Sequence, residues 1–475
     1  MGRRFAHGGG IVCESGPQGQ GARILSEPII SVSGLRGIVG TSLDPLIALR
    51  YAAAFVQGLP PGAIVITRDG RPSGAMLAAA VGSAVCGLGR QVLDGGVAAT
   101  PTTGVLVRQH RAAGGIQISA SHNPPEYNGL KLMSAAGCVI AADDGQQVLE
   151  RYRSEEVPWC TADRIGGIEP LADTTSEHLT RVLALVDGPR IRRRGFRVLL
   201  DANQGAGSLL GRRLLDSLGC HTVVLGGSAN GNFAHPAEPT ADNLAGVREQ
   251  VTAADADVGF CQDPDADRLA LIDEHGRYIG EEYTLALCVE HILGERRGPI
   301  VTNCATSRMS QELAERYGVA YHRAPVGEAN VTGCMRSVGA VFGGEGNGGP
   351  IDPRVGYVRD SFVGMALVLD ALAARQASLS VLADELPRFA ICKQKFALPL
   401  RQVPAVLDGL EQRFPEARAD RQDGLRLDWP RAWLLVRPSN TEPLVRAIAE
   451  ADSQDQAERL CQQAGEVIQQ FSNPR

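Results

Sequence analysis

Four short stretches of this sequence carry side chains whose types and spacing suit chemistry. The first, SASHNPP at 119–125, places Ser121 and His122 between an alternating run, GGIQI, and the segment YNGLKLM. Two prolines and an asparagine disfavour helix continuation, so the pattern predicts Ser121 on a turn at the end of a strand. The second, DPDADR at 263–268, lies between DVGFCQ and LALIDE. In an extended segment residues two apart point the same way, which converges Asp263, Asp265 and Asp267 on one hard divalent cation. Arg268 offsets part of the remaining negative charge, and a phosphate oxygen would supply a further ligand. An EF-hand would use Glu274 as its last ligand, but Arg268 stands where that loop needs glycine and the flanks read as strands. A plain acidic surface turn is the other reading, although three aspartates between apolar strands repel one another without a cation.

The third stretch is GGEGNGG at 343–349. Its glycines let backbone approach a ligand closely, and Glu345 and Asn347 offer the acceptors and donor that sugar hydroxyls require. A flexible turn would use the same residues, and the spacing does not match a dinucleotide-binding fingerprint. The fourth, RPSNTEP at 437–443, follows the apolar strand AWLLV. Arg437, Ser439, Asn440 and Thr441 make a compact anion site suited to a phosphate, or a capped turn with a structural arginine. Taken together, a turn serine, a cation site, a hydroxyl-binding loop and a phosphate clamp compose a phosphoryl-transfer site for a phosphosugar. Ser121, once phosphorylated, is its phosphoryl donor.

The elements that must position these residues follow a repeated grammar. AIVITRDGRPSG at 63–74, FRVLLDANQGAG at 196–207 and PIVTNCATSRMS at 299–310 each run from an apolar β-prone segment through a small-residue loop into a helical pattern. This predicts an α/β protein: three related α/β domains with mixed, largely parallel sheets, and a smaller C-terminal α+β domain. The expected divisions are a disordered extension at 1–23, then domains at 24–185, 186–295, 296–388 and 389–475, carrying the serine, cation, sugar and phosphate loops in turn. The basic run Arg190, Arg192, Arg193 and Arg194 reads as a solvated linker at the first seam, since no aromatic residues interleave it as a nucleic-acid patch would require. The apolar run AMLAAAVGSAVCGLG at 75–89 is too short to span a bilayer and reads as a buried helix.

The order and spelling of these motifs resemble the α-D-phosphohexomutase superfamily, which includes phosphoglucomutase, phosphomannomutase and phosphoglucosamine mutase. SASHNP, DPDADR, GEGNGG and RPSNTEP occur in family order from about residue 25 onward, supported by SGLRG, TRDGRPSG, VGEANV and HPAEPTADNL. The resemblance implies that Ser121 is the phosphoserine with His122 beside it, and that Asp263, Asp265 and Asp267 bind one magnesium ion together with the serine phosphate. It implies positioning and proton-transfer roles for Arg36 and Lys131, sugar contacts from Arg268, Glu345 and Asn347, and a phosphate clamp at Arg437, Ser439, Asn440 and Thr441. A hexose 1,6-bisphosphate is the implied activator. Two departures stand out: Pro264 and Ala266 replace glycines of many relatives, and Asn347 and Gly349 replace the serine and histidine of a GEESGH or GEMSGH sugar loop. With that histidine missing, Lys131 and Arg36 become the leading acid/base candidates, and His122 a lesser one. The GEGNGG loop and the VRPSNTEP ending are similar to a branch of the family associated with phosphoglucosamine mutase, although GEMSGH marks the usual bacterial form of that enzyme; the resemblance implies glucosamine phosphate as substrate, with mannose or glucose phosphate as the alternative. A non-catalytic phosphosugar sensor, or a phosphatase with Asp263 as nucleophile, are the competing readings; the second would leave SASHNPP unexplained.

Composition sets the outer bounds. With 475 residues, 44% hydrophobic and 21% charged, the chain is long for one core. A formal charge of -6 gives no global attraction to nucleic acid or an anionic membrane, so neither is an expected partner. Eleven dispersed cysteines without a CxxC pair read as reduced thiols in a cytoplasmic protein. Arg3 and Arg4 precede GGGIVCESGPQ, which has no apolar segment of the kind an export signal needs. Monomer and homodimer are both compatible with this sequence.

Overall fold

A computed structural model describes residues 27–31, 34–438 and 444–472. The predicted extension at 1–23 lies outside these residues. All three strand, loop and helix segments form as expected: strands Ile64–Arg68, Arg197–Asp201 and Ile300–Asn303 lead into helices Gly74–Gly87, Gly207–Ser217 and Met309–Arg316. Each strand is a short β-branched or leucine-rich run whose side chains are mostly buried, and small residues in each loop let the chain turn back along the sheet.

Four sheets result, of seven, four, four and five strands in chain order. In the first, Ile64–Arg68 pairs in parallel with Val92–Val97 and with Gly114–Ile118, while Gly114–Ile118 and Tyr127–Ser134 are antiparallel. The second and third sheets each have a parallel core closed by one antiparallel strand. The last is antiparallel throughout and packs on helices Val403–Arg413 and Gln454–Ser472. These are the mixed α/β units and the smaller α+β unit that the sequence predicts.

The apolar interior shows how the units are joined. A single cluster runs from Ile191, Phe196 and Leu214 through Phe260 and Leu271 to Phe342, Phe362 and Leu386, so the second and third sheets share one continuous core. The first and last units have cores of their own. The last unit docks on the third through Trp433, which packs with Cys304, Ala305 and Val326; within its own unit its indole N–H donates to Glu450 at 2.7 Å and its ring is covered by the Arg426 guanidinium. Arg426 in turn donates to the Cys304 carbonyl, and Arg323 pairs with Asp428 at 2.7 Å.

Three local expectations need correction. Residues 188–194 form a short helix, capped by Asp187, and Arg190 pairs with Asp370 at 2.8 Å and with Glu295 at 3.4 Å. Arg190 alone therefore belongs to a packed seam, drawn inward by a buried carboxylate on helix Ser361–Arg375, while Arg192, Arg193 and Arg194 remain exposed as expected of a solvated run. The helix from Gly74 buries only one face, through Leu77, Val81 and Val85, and leaves Met76 exposed, because it lies on the outside of its sheet. The third concerns the cation loop and is described with the site. The ten described cysteines are all free thiols, and among the described residues no single helix is long and apolar enough to cross a membrane.

One loop contact within the second unit gives a pH prediction. His235 Nε2 lies 2.7 Å from Asp201 Oδ2, and Asn203 ties the loop to it by accepting from the Ala234 N–H. Burial alone would lower the His235 pKa, but the Asp201 carboxylate outweighs it and leaves the imidazole above its ordinary value. The protonated pair thus adds stability that is complete below about pH 6.5 and is lost as pH rises through the raised pKa. In thermal melts, wild type should exceed H235Q by a margin that shrinks between pH 6 and pH 8; a constant margin would refute the assignment.

Candidate active site

The serine loop is held by an arginine. Ser121 sits just past strand Gly114–Ile118, buried, with φ at +50°, a left-handed conformation that a non-glycine residue keeps only under constraint. The constraint is Arg71, fully buried at the end of RDGR. Its guanidinium donates to the carbonyls of Ser121 (2.6 Å), Asn123 (2.7 Å), Pro124 (2.6 Å) and Tyr127 (3.1 Å). Asp69 orients it at 3.0 Å and accepts from Ser119 Oγ at 2.6 Å, while Ser119 Oγ also takes the Ser121 N–H. The Ser121 hydroxyl is thereby aimed at Asp263 Oδ2, 2.7 Å away on the second unit.

The cation loop differs from the expected extended segment. Strands Val258–Gln262 and Leu269–Asp273 are antiparallel neighbours, and residues 263–268 form the tight turn between them. Ala266 is at φ +54°, where many relatives carry glycine, and its carbonyl is held by the Ser361 hydroxyl at 2.7 Å. The three carboxylates converge because the turn wraps around them, not because a strand alternates. Their ligand oxygens lie within 4.8 Å of one another, and all three residues are wholly buried.

This donor set fits a hard dication. Asp265 Oδ1 and Asp267 Oδ1 are buried with no hydrogen-bond partner, which is costly unless a ligand satisfies them. Burial, and then the charges of Asp265 and Asp267, push the Asp263 carboxyl well above the usual range. A second cation already lies alongside: Lys131 Nζ is 3.1 Å from Asp265 Oδ2 and 2.7 Å from Asp267 Oδ2. Burial would lower Lys131, but those two carboxylates raise it further, so it stays an ammonium. His122 is the opposite case. Its Nδ1 is 3.4 Å from Ser121 Oγ, and burial, Arg268 and Arg36 push it down to about 2, leaving a neutral and weakly basic ring. Arg36 donates to Asn123 Oδ1 at 3.1 Å on the rim of the serine loop.

The sugar loop meets the same cluster through Arg359. Strand Phe342–Glu345 delivers Glu345, whose Oε1 accepts from Asn303 Nδ2 (2.8 Å) and the Gly327 N–H (3.1 Å). Its Oε2 takes Arg359 at 2.8 Å, and Asn347 Oδ1 is buried without a donor. Gly348, at φ +75°, presses against Leu269, and the Leu269 N–H donates to its carbonyl at 2.9 Å. A serine loop, three convergent carboxylates and a polar sugar loop therefore face one another across three units.

Family models match in the same order along the chain. Domain I of phosphoglucomutase/phosphomannomutase matches residues 28–158, domain II 176–276, domain III 281–389 and the C-terminal domain 393–466. The chain belongs to the phosphoglucomutase/phosphomannomutase family. It is 33% identical to a probable phosphoglucosamine mutase of Methanopyrus kandleri, over 92% of this chain and 96% of that protein. It is 35% identical to a phosphoglucomutase/phosphomannomutase of Thermococcus kodakarensis, over 89% and 94%. A crystal structure of a family protein from Burkholderia thailandensis superimposes with a TM-score of 0.82 at 28% identity, covering 94% of this chain and 98% of that one. This protein is accordingly a phosphohexomutase, an isomerase.

Ser121, His122, Lys131, Arg36, the three aspartates, Arg268, Glu345 and Asn347 of this phosphohexomutase are gathered in one cluster. Arg268 donates its N–H to Asp263 Oδ1 at 3.1 Å and approaches Glu238 at 3.7 Å. Arg437 is not free: it donates to Asp423 Oδ2 at 2.8 Å, an oxygen that also accepts the Val326 N–H. Ser439, Asn440 and Thr441 lie outside the described residues. Sequence reasoning assigned no role to Arg71, Asp69, Arg359 or Glu328. Arg71 and Glu328 stand inside the quoted motifs TRDGRPSG and VGEANV, so a signal was present; Arg359 stands in none.

Proposed function

We propose that this chain interconverts a hexose 6-phosphate and its 1-phosphate through a phosphorylated Ser121 and a bound 1,6-bisphosphate, with glucosamine phosphate as the preferred sugar. The observation that carries the mechanism is Ser121 itself, locked by Arg71 in a left-handed turn and aimed at Asp263. Asp263, Asp265 and Asp267 would hold a magnesium ion, which when bound neutralises negative charge on the transferring phosphoryl group.

In the forward half, the bond from phosphorus to Ser121 Oγ breaks as one forms to the sugar hydroxyl oxygen; the sugar hydroxyl gives up its proton and the departing Ser121 Oγ gains one, so the serine hydroxyl is restored with no net proton gained or lost. The bisphosphate then reverses its orientation, and Ser121 recovers the other phosphoryl group. Lys131 supplies a held proton and a positive charge beside the reacting centre. His122 is the poorer acid/base candidate, because its environment keeps it neutral and weakly basic. Glu345 and Asn347 face the sugar hydroxyls, and the loop at 437–441 receives the phosphate that is not being transferred. A charge-assisted anion site accepts either phosphate, as the reversal requires.

Preference for the amino sugar is supported by several relatives at 30% identity or more that carry the name probable phosphoglucosamine mutase. The Thermococcus relative named phosphoglucomutase/phosphomannomutase supports the runner-up, mannose or glucose phosphate. An isomerisation assay with magnesium should settle the choice, offering glucosamine 6-phosphate, mannose 1-phosphate and glucose 1-phosphate separately, each with its bisphosphate. Fastest turnover of glucosamine 6-phosphate is expected. A preference for mannose or glucose would remove the substrate assignment and keep the mechanism; release of free phosphate instead of isomer would overturn the mechanism.

A further inference from the structure

The tripeptide Arg359-Asp360-Ser361 opens helix Ser361–Arg375 and touches both the cation loop and the sugar loop. Arg359, with a side chain only 10% exposed, reaches Asp267 Oδ2 with Nη2 at 2.7 Å and Glu345 Oε2 with Nη1 at 2.8 Å. Its N–H donates to Glu328 Oε1 at 2.9 Å, and Nε lies 3.4 Å from Glu328 Oε2. Asp360 caps the helix through the Phe362 and Val363 N–H groups and meets the wholly buried His178 at 2.7 Å. His178 in turn meets Thr102 of the first unit at 2.9 Å. Ser361 fixes the Ala266 carbonyl at the apex of the cation loop.

We infer that Arg359 is the positioning residue that couples the cation loop to the sugar loop, so that cation and phosphosugar strengthen each other's binding. The inference rests on the functional reading above. One planar guanidinium spans a carboxylate of the cation triad and the carboxylate of the sugar loop, each through a different nitrogen, so the two cannot reorient independently. Asp267 Oδ2 is shared between Arg359 and Lys131, and Asp267 Oδ1 is the buried oxygen left without a partner. A cation taking Oδ1 fixes the Asp267 carboxylate, which fixes Arg359, which holds Glu345 in the orientation a sugar meets. The Leu269 to Gly348 backbone bond runs parallel to this link and keeps the two loops at constant separation. By linkage, whatever the cation contributes to sugar binding the sugar returns to cation binding.

The test is made in an S121A background, so that nothing turns over. Mn2+ affinity is read by electron paramagnetic resonance with and without saturating glucosamine 6-phosphate. The protein with Arg359 should bind Mn2+ roughly tenfold more tightly when the phosphosugar is present. R359K keeps the charge but cannot bridge two carboxylates through separate nitrogens, and its coupling should fall to about twofold or less. E345Q, which alters the far end of the link and no cation ligand, should lose the coupling too, and carries the test if R359K does not fold. Retention of the full tenfold coupling in folded R359K, or in E345Q, would overturn the inference. Phosphosugar binding with no effect on Mn2+ affinity when Arg359 is present would overturn it alone; absence of any phosphosugar binding would overturn the functional reading with it.

Discussion

S121A should abolish mutase turnover, lowering kcat by about a thousandfold or more, because no other hydroxyl lies on the Arg71-stapled turn facing the cation triad. The substitution removes one oxygen from a pre-built loop, so the melting temperature should change little. Two readouts separate the role of the serine from general damage. Incubation with the bisphosphate should leave wild type carrying one phosphoryl group at Ser121 by mass spectrometry, and S121A carrying none. Binding of phosphosugar to S121A should persist, since Glu345, Asn347 and Arg268 are untouched. Turnover of S121A near the wild-type rate would eliminate the phosphoserine mechanism outright.

The second large effect is expected from a residue that touches no substrate. R71K should cut kcat/KM by about a hundredfold, since a misplaced nucleophile or donor loses most of the benefit of orientation. A lysine offers one ammonium where four carbonyls and Asp69 are now served by one planar fork. The loop would then relax from the left-handed turn at Ser121, and phosphoryl uptake from the bisphosphate should slow in proportion. R71A goes further by leaving Asp69 buried without its partner, a loss of about 3–5 kcal/mol in denaturant unfolding. If R71K phosphorylates and turns over at the wild-type rate, the loop holds its shape by other means.

The contrast between these two residues shows what a sequence discloses. Ser121 is legible because a serine between a strand-like run and two prolines has few bland explanations. The repeated strand, loop and helix grammar is legible for a similar reason: alternation of apolar runs with small-residue loops is a local signal, and all three segments folded accordingly. The triad was found by its spacing, yet its geometry was misread, because a turn and a strand can both bring alternate aspartates together. Arg71 is harder to read, since its partners are backbone carbonyls up to 56 residues away, and a carbonyl leaves no mark on the sequence. Arg359 is harder still: its partners are two glutamates 14 and 31 residues before it, at the end of a strand and the start of a helix, and an aspartate 92 residues before it that only the packing of the second and third sheets brings near. Arg190 misled for the same reason, because the acid that recruits it stands 180 residues downstream, whereas Arg192, Arg193 and Arg194 stay exposed.

The shared interior of those two sheets also fixes how this protein can be recombined. A chimera that exchanged the second unit alone would cut through one apolar body, parting Phe260 and Leu271 from Phe342 and Phe362 and forcing two unrelated surfaces to mate. The last unit, with a core built from Val406, Leu434 and Ala447, can be exchanged as a cassette if the Trp433 and Arg426 contacts travel with it. Transplants meant to alter sugar choice therefore have to move residues 188–386 as one block, so that the cation and sugar loops are inherited together.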